Sequence, residues 1–195
     1  LRSGEKKQES NLSSYIVNIC LIGRGELFSL IEKKKMFEDY YKYIRKEDEV
    51  KSVEDIWKTG MVFFKIDNID EEIATAEKEL NISFPPELKS FYKELGYGFL
   101  RQNEDRTYNN LFFPPTEISA FYTGFDFYAT DERQEYYPFD GENLIFFEVD
   151  SDVFMTIKMK GPDAGCIFYF DDKVASSIKE FIERMKTDYN YYMKM

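Results

Sequence analysis

The chain has 195 residues, 26 basic against 37 acidic side chains, no histidine, and a net charge of −11 at neutral pH. With 43% apolar and 32% charged residues it can bury a substantial core and is not a disordered chain. The missing histidine excludes Ser-His-Asp and Cys-His nucleophile systems, His-ligated metal sites and histidine bases, and the negative charge disfavours direct binding to a phosphate backbone.

Residues 1–14 are polar and read as a frayed arm. "YIVNICLIG" is too short to span a bilayer, is followed by Arg24 and Glu26, and lacks a small-residue cleavage site, so neither a membrane anchor nor a signal peptide is expected. The chain does not open on methionine. Met36 is a candidate start, which leaves residues 1–35 as candidate upstream sequence. Leu30, Phe37, Tyr41 and Ile44 fall near helical spacing and predict a helix, most securely over 33–47. The charged run "RKEDEVKS" reads as a linker, followed by a helical turn anchored by Trp57 and ended by Gly60. The expected organisation is an N-terminal extension over 1–50 and one domain over 51–195.

In "NIDEEIATAEKELN", Ile69, Ile73, Ala76 and Leu80 share one helical face, with Asp70 as the expected N-cap and Asn81 as a left-handed stop. "NISFPPELKSFYKELGYGFL" then places Pro86 in the first turn of a second helix. Leu88, Phe91, Tyr92 and Leu95 form its apolar stripe, Gly96 ends it, and an extended segment leaves from Gly98. Nothing in this corner is suited to catalysis.

The second half reads as sheet. "LFFPP" is a strand stopped by Pro114 and Pro115, and "NLIFFEV", "VFMTIKM" and "CIFYF" are three further strands. The turns between them, "DSD" and "GPDAG", are short enough for an antiparallel meander. A closing helix is expected after Asp172, with Val174, Ile178, Phe181, Ile182, Met185, Tyr189 and Tyr192 on one face.

Chemistry-bearing motifs are few. Cys20 and Cys166 form no CxxC and read as reduced, semi-buried thiols of a cytosolic protein. No phosphate loop occurs, and "GRG" at 23–25 lacks the third glycine of a dinucleotide fingerprint. Glu148, Asp150 and Asp152 could share a cation or act as an acid/base pair, but the loop lacks the glycine and ligand spacing of an EF-hand. The plainer reading is solvated turn acids, and the sequence calls for no metal and no cofactor.

Charge is uneven, with a net +1 over residues 1–59 and −12 over 60–195. Residues 126–152 hold nine acids and one base, with Phe127, Tyr128, Tyr136, Tyr137 and Phe139 interleaved. Carboxylates give long-range attraction to a basic surface, and tyrosines give contact area at modest entropy cost. Two readings stand side by side: an interface, or a solvated loop whose aromatics tuck into the core. On the first, the contacts are Asp131, Glu132, Glu135, Tyr136, Tyr137, Asp140 and Glu142.

The segment "IATAEKELNISFPPELKSFYKELGYGFL" resembles the opening signature of the SUKH superfamily through Glu77, Leu80, Pro85, Pro86, Leu88, Phe91, Tyr92, Gly96 and Gly98, with Phe84 where that family usually has leucine. "FFPPTEI" resembles the family's strand and helical turn, and "NLIFFEVDSD…GCIFYFDD…SSIKEFIERM" its closing strands and terminal helix; the likeness spans about residues 57 to 188. It implies an α+β fold, a single SUKH-like domain with helices packed on a mostly antiparallel sheet, here preceded by a helical extension. Many bacterial members of the superfamily are immunity proteins that neutralise secreted polymorphic toxins, often nucleases, and "YKELGYGFL" with Trp57 looks most like the Bacillus-type partners of LXG toxins. The family carries no common catalytic residues. The expectation is therefore a cytoplasmic, non-enzymatic immunity protein whose partner is a cognate toxin with a basic surface such as a nuclease domain, with no direct nucleic-acid or membrane contact. The alternatives are a regulatory adaptor, as in the fungal cell-wall branch of the family, and a hydrolase built on Glu148, Asp150 and Asp152.

Overall fold

The structure is a computed structural model that describes residues 35–49, 59–100 and 110–195. Strands β1 (Ile44–Arg45), β2 (Met61–Phe64), β3 (Tyr97–Leu100), β4 (Leu111–Phe112), β5 (Asn143–Asp150), β6 (Val153–Lys158), β7 (Ile167–Tyr169) and β8 (Asp172–Ala175) lie side by side in chain order. β1 runs parallel to β2, and every later pairing is antiparallel. With helices α1 (Ile69–Leu80), α2 (Pro86–Glu94), α3 (Pro115–Thr123), α4 (Arg133–Tyr136) and α5 (Ile178–Thr187), the architecture is α+β, and Met36–Met195 form one compact unit.

The helical corner follows the sequence pattern. α1 ends where Asn81 turns left-handed at φ 52°, and its N–H reaches the carbonyls of Glu77 and Lys78. Pro86 opens α2, and Leu88, Phe91, Tyr92 and Leu95 are all buried. Gly96 sits at φ +90°, and a Cβ there would lie 1.9 Å from the Phe64 carbonyl oxygen, so only glycine allows the chain to turn into β3 this close to β2.

The core on this face is a continuous aromatic stack. Phe91 of α2 lies 4.4 Å from Phe112 and 5.8 Å from Phe63, and Phe181 of α5 lies 4.9 Å from Phe147. α5 is tied to α2 because the Glu87 carboxylate accepts the first two backbone N–H groups of α5, from Ile178 and Lys179, both at 3.1 Å. The pleat reverses at Phe154, whose ring is covered by Phe113, Phe121 and Tyr137 at 5.3, 5.1 and 5.2 Å. That side is closed by α3 and by the segment after it.

Four expectations are corrected here. The helix over 33–47 is a short 3₁₀ segment, Glu38–Tyr43, followed by β1. The buried residues are Phe37 and Tyr40, three apart, which suits the tighter winding and not the 3.6-residue spacing read from Tyr41 and Ile44. This segment, assigned to the extension, contributes both rings to the core, so the compact unit starts ahead of the expected boundary at 51. Asp70 is not the N-cap of α1: Asn68 is, at φ 57°, its carbonyl accepting from Glu71 and Glu72 while Asp70 pairs with Lys93 at 2.6 Å. Last, the closing helix lies after Asp172 as expected but spans only Ile178–Thr187, so Val174, Tyr189 and Tyr192 are not part of it. Val174 is buried from β8, and Ser177 caps the helix by accepting from the Glu180 N–H. β2 has no counterpart among the expected strands, while Leu30, Trp57 and Cys20 lie outside the described residues.

Candidate functional site

The acidic and aromatic segment that follows α3 is built as a strap over the outer side of β5 and β6. Gly124 ends α3 at φ +64°, a 3₁₀ turn forms over Asp126–Tyr128, and α4 follows. Its fastening is Arg133. The guanidinium pairs with Asp131 at 2.6 Å and Glu148 at 2.9 Å, donates to the Ser151 carbonyl at 2.7 Å, and lies 4.8 Å from the centre of the Phe154 ring. Its side chain is 16% exposed and those of Asp131 and Glu148 are 9% and 12%, so the triad is shielded from water and fully hydrogen-bonded. Gln134 adds a second fastening by donating its amide to the Phe121 and Tyr128 carbonyls.

The seven expected contact residues therefore divide. Asp131 is spent inside the triad. The Tyr137 hydroxyl accepts the Phe154 N–H at 3.0 Å while its ring covers Phe154. Asp140 closes a turn by accepting from the N–H groups of Glu142 and Asn143 and from the Asn143 amide. Glu142 pairs with Lys158 at 2.9 Å. Glu132, Glu135 and Tyr136 project outward, Tyr136 at 79% exposure, and neither glutamate has an ion pair among the described residues.

Phe127, read among the interleaved aromatics but not among the contacts, stands at 82% exposure on the strap. Sequence reasoning missed two further exposed rings, Phe125 at 70% on the strap and Phe170 at 61% on the β7–β8 turn. The signal for Phe170 was its place in "YFDD", a two-residue turn between paired strands, where a solvent-facing aromatic is out of keeping with turn chemistry. Between strap and sheet runs a cleft of about 410 Å³. Tyr136 and Tyr137 line one side, Phe168 and Phe170 the other, with Thr156 and Lys158 on its sheet side and Asp140 and Asp171 also lining it.

The third candidate, the acids at the β5–β6 turn, does not converge. Glu148 faces Arg133, and Asp150 accepts the Asp152 N–H at 3.2 Å. No cluster of three or more His, Cys, Asp or Glu able to hold a metal occurs among the described residues. Cys166 is buried beside the Ser176 carbonyl. No helix among the described residues is long and apolar enough to cross a membrane.

Several carboxylates are held below the usual range. Hydrogen bonds from Arg133 lower Asp131, the Ser176 N–H and Arg184 lower Glu180, and the Tyr40 hydroxyl and Lys186 lower Glu183. Each favours the folded state when ionised, so its contribution is complete above the unfolded carboxyl range and is lost as pH falls through the lower folded value. Glu87 runs the other way, because burial raises it. Glu72 is raised by burial too, but with Glu77 and Asp140 also lowered, five depressed groups stand against two raised ones, and urea midpoints are expected to hold level from pH 7 to about 5 and to fall steadily below about pH 4. A midpoint unchanged at pH 3 would contradict this.

Comparison with known proteins adds two findings. The SMI1/KNR4 family (SUKH-1) matches residues 68–184, the stretch from the N-cap of α1 into α5. The chain is also similar to "Immunity protein YxxD" of Bacillus subtilis (strain 168), with 34% identity over 127 residues, 64% of this chain and 84% of that relative. The family match covers the strap and most of the aromatic core, though not rings such as Phe37, Tyr40 and Phe63, and the chain belongs to the SMI1/KNR4 family (SUKH-1).

Proposed function

We propose that the protein is a cytoplasmic immunity protein that binds and neutralises a cognate secreted toxin of the LXG type without doing chemistry of its own. The observation that carries this reading is the similarity to an immunity protein across 84% of that relative's length. The strap supports it physically. Glu132, Glu135 and Tyr136 form the outward face, joined by Phe125 and Phe127, and Asp131, Tyr137, Asp140 and Glu142 fix its shape. Exposed aromatics beside unpaired acids suit a basic protein surface such as a nuclease cleft, where carboxylates compete for the groups that hold phosphates.

Coexpression tests this directly. The chain is expected to rescue cells from the C-terminal domain of a toxin encoded beside it and to copurify with that domain. Reversing Glu132 and Glu135 to lysine is expected to slow association at least tenfold at low salt and to flatten its salt dependence. Copurification without rescue would favour the adaptor reading instead. Rescue with unchanged association kinetics in the double reversal would keep the function and remove the strap as its site.

A further inference from the structure

Phe170 is the most unusual residue on the surface. Its backbone sits at φ +53°, in the left-handed region where a bulky side chain is disfavoured and where glycine or asparagine would serve the turn better. Its ring is 61% exposed and packs edge-on against its neighbour Tyr169 at 4.7 Å. The core takes nothing from it. A strained turn that presents a solvent-facing ring at a cleft is a feature of binding and not of folding.

The opposite wall is similar. Tyr136 lines the same cleft from the strap and is 79% exposed. Two acids, Asp140 and Asp171, share the lining, and Asp171 has no ion pair among the described residues. Lys158 also lines the cleft, but Glu142 neutralises it at 2.9 Å. The cleft thus offers ring faces and net negative charge. The chain treats one of its own cations in this manner: Arg133 lies over Phe154 with carboxylates on either side.

We propose that the cleft between Tyr136 and Phe170 takes an arginine side chain from the toxin, its guanidinium stacked on the two rings and paired with Asp171. This rests on the immunity reading for the source of the arginine, but not for the chemistry of the cleft. A planar, weakly hydrated guanidinium fits ring walls better than a lysine ammonium does.

The test uses the full chain with N-acetylarginine amide, and N-acetylcitrulline amide as the neutral isostere of the same shape. NMR titration is expected to show saturable shifts of the Tyr136, Phe168 and Phe170 ring signals with the arginine probe and none with citrulline. Phe170→Gly is expected to weaken that binding at least tenfold while holding or raising the melting temperature, because glycine relieves the left-handed strain. A merely structural Phe170 would move stability and leave binding alone. Arginine shifts that spread over the acidic surface, or that survive in Phe170→Gly, overturn the proposal. So does equal binding of citrulline. Failure of toxin rescue with the arginine signature intact would remove the immunity reading and leave the cleft's specificity standing.

Discussion

Arg133→Ala is expected to lower stability by about 3–5 kcal/mol, the range for removing one partner of a buried ion pair and leaving its mates uncompensated. The size follows from the surroundings. Asp131 and Glu148 are only 9% and 12% exposed at the side chain, and both depend on this guanidinium. The substitution also uncovers Phe154, over which Arg133 lies at 4.8 Å, and frees the Ser151 carbonyl of its donor. Urea unfolding followed by far-UV circular dichroism measures the loss. Arg133→Lys keeps the charge but cannot form the fork to Asp131 or stack on the ring, and is expected to recover only part of it. Adding both Asp131→Asn and Glu148→Gln to Arg133→Ala should restore stability relative to the single change, because neither shielded carboxylate is then left without its cation. The strap should loosen as well, seen as faster proteolysis between Phe125 and Phe139. A loss below about 1 kcal/mol would mean that water reaches the triad and that the strap is held by its aromatics.

The same strap marks where sequence reasoning stops. α1 and α2 were legible because each is a single amphipathic stripe with strong punctuation: Asn81, Pro86 and Gly96. β5, β6 and β7 were legible from their composition and the short turns between them. β2 was not, since all four of its residues are buried and a short apolar run has no period to read. β8 was hidden because Val174 and Ile178 are four apart and imitate a helix across a strand-to-cap boundary, although the capping pair Ser177 and Glu180 was there to be read. At the site, composition located the right segment but could not separate its acids. Asp131 and Glu132 are neighbours with the same charge, yet one is half-buried against Arg133 and the other faces solvent. That difference is set by where a single arginine lands on β5, a long-range contact no local pattern encodes. Phe170 joins the cleft for the same reason, from a turn more than thirty residues further on.

Phe112→Ala is expected to be comparably severe, at about 3–5 kcal/mol. Phe112 is fully buried in β4, a strand of only two residues, so the ring and not the ladder holds the strand. Five rings surround it: Phe91 at 4.4 Å, Phe147 at 4.9 Å, Phe146 at 5.9 Å, and Phe63 and Phe181 at 6.2 Å. These come from β2, α2, β5 and α5, so one truncation loosens the contact between both helices and the centre of the sheet. Collapse into the gap is restricted. Across the ladder, Gly98 pairs with Phe112, and its backbone already approaches β2 so closely that a Cβ there would lie 2.1 Å from the Val62 carbonyl oxygen. With β3 fixed this way, the cavity persists and its cost adds to the lost burial. For a unit of this size the melting temperature should fall by about 10 °C, read by calorimetry. Phe170→Ala removes an equal ring from an exposed turn and is expected to change stability by less than about 0.5 kcal/mol. If the two substitutions had equal effects, the aromatic stack would not be what joins the helices to the sheet, and the mount that positions the strap would have to be sought on the Phe154 side instead.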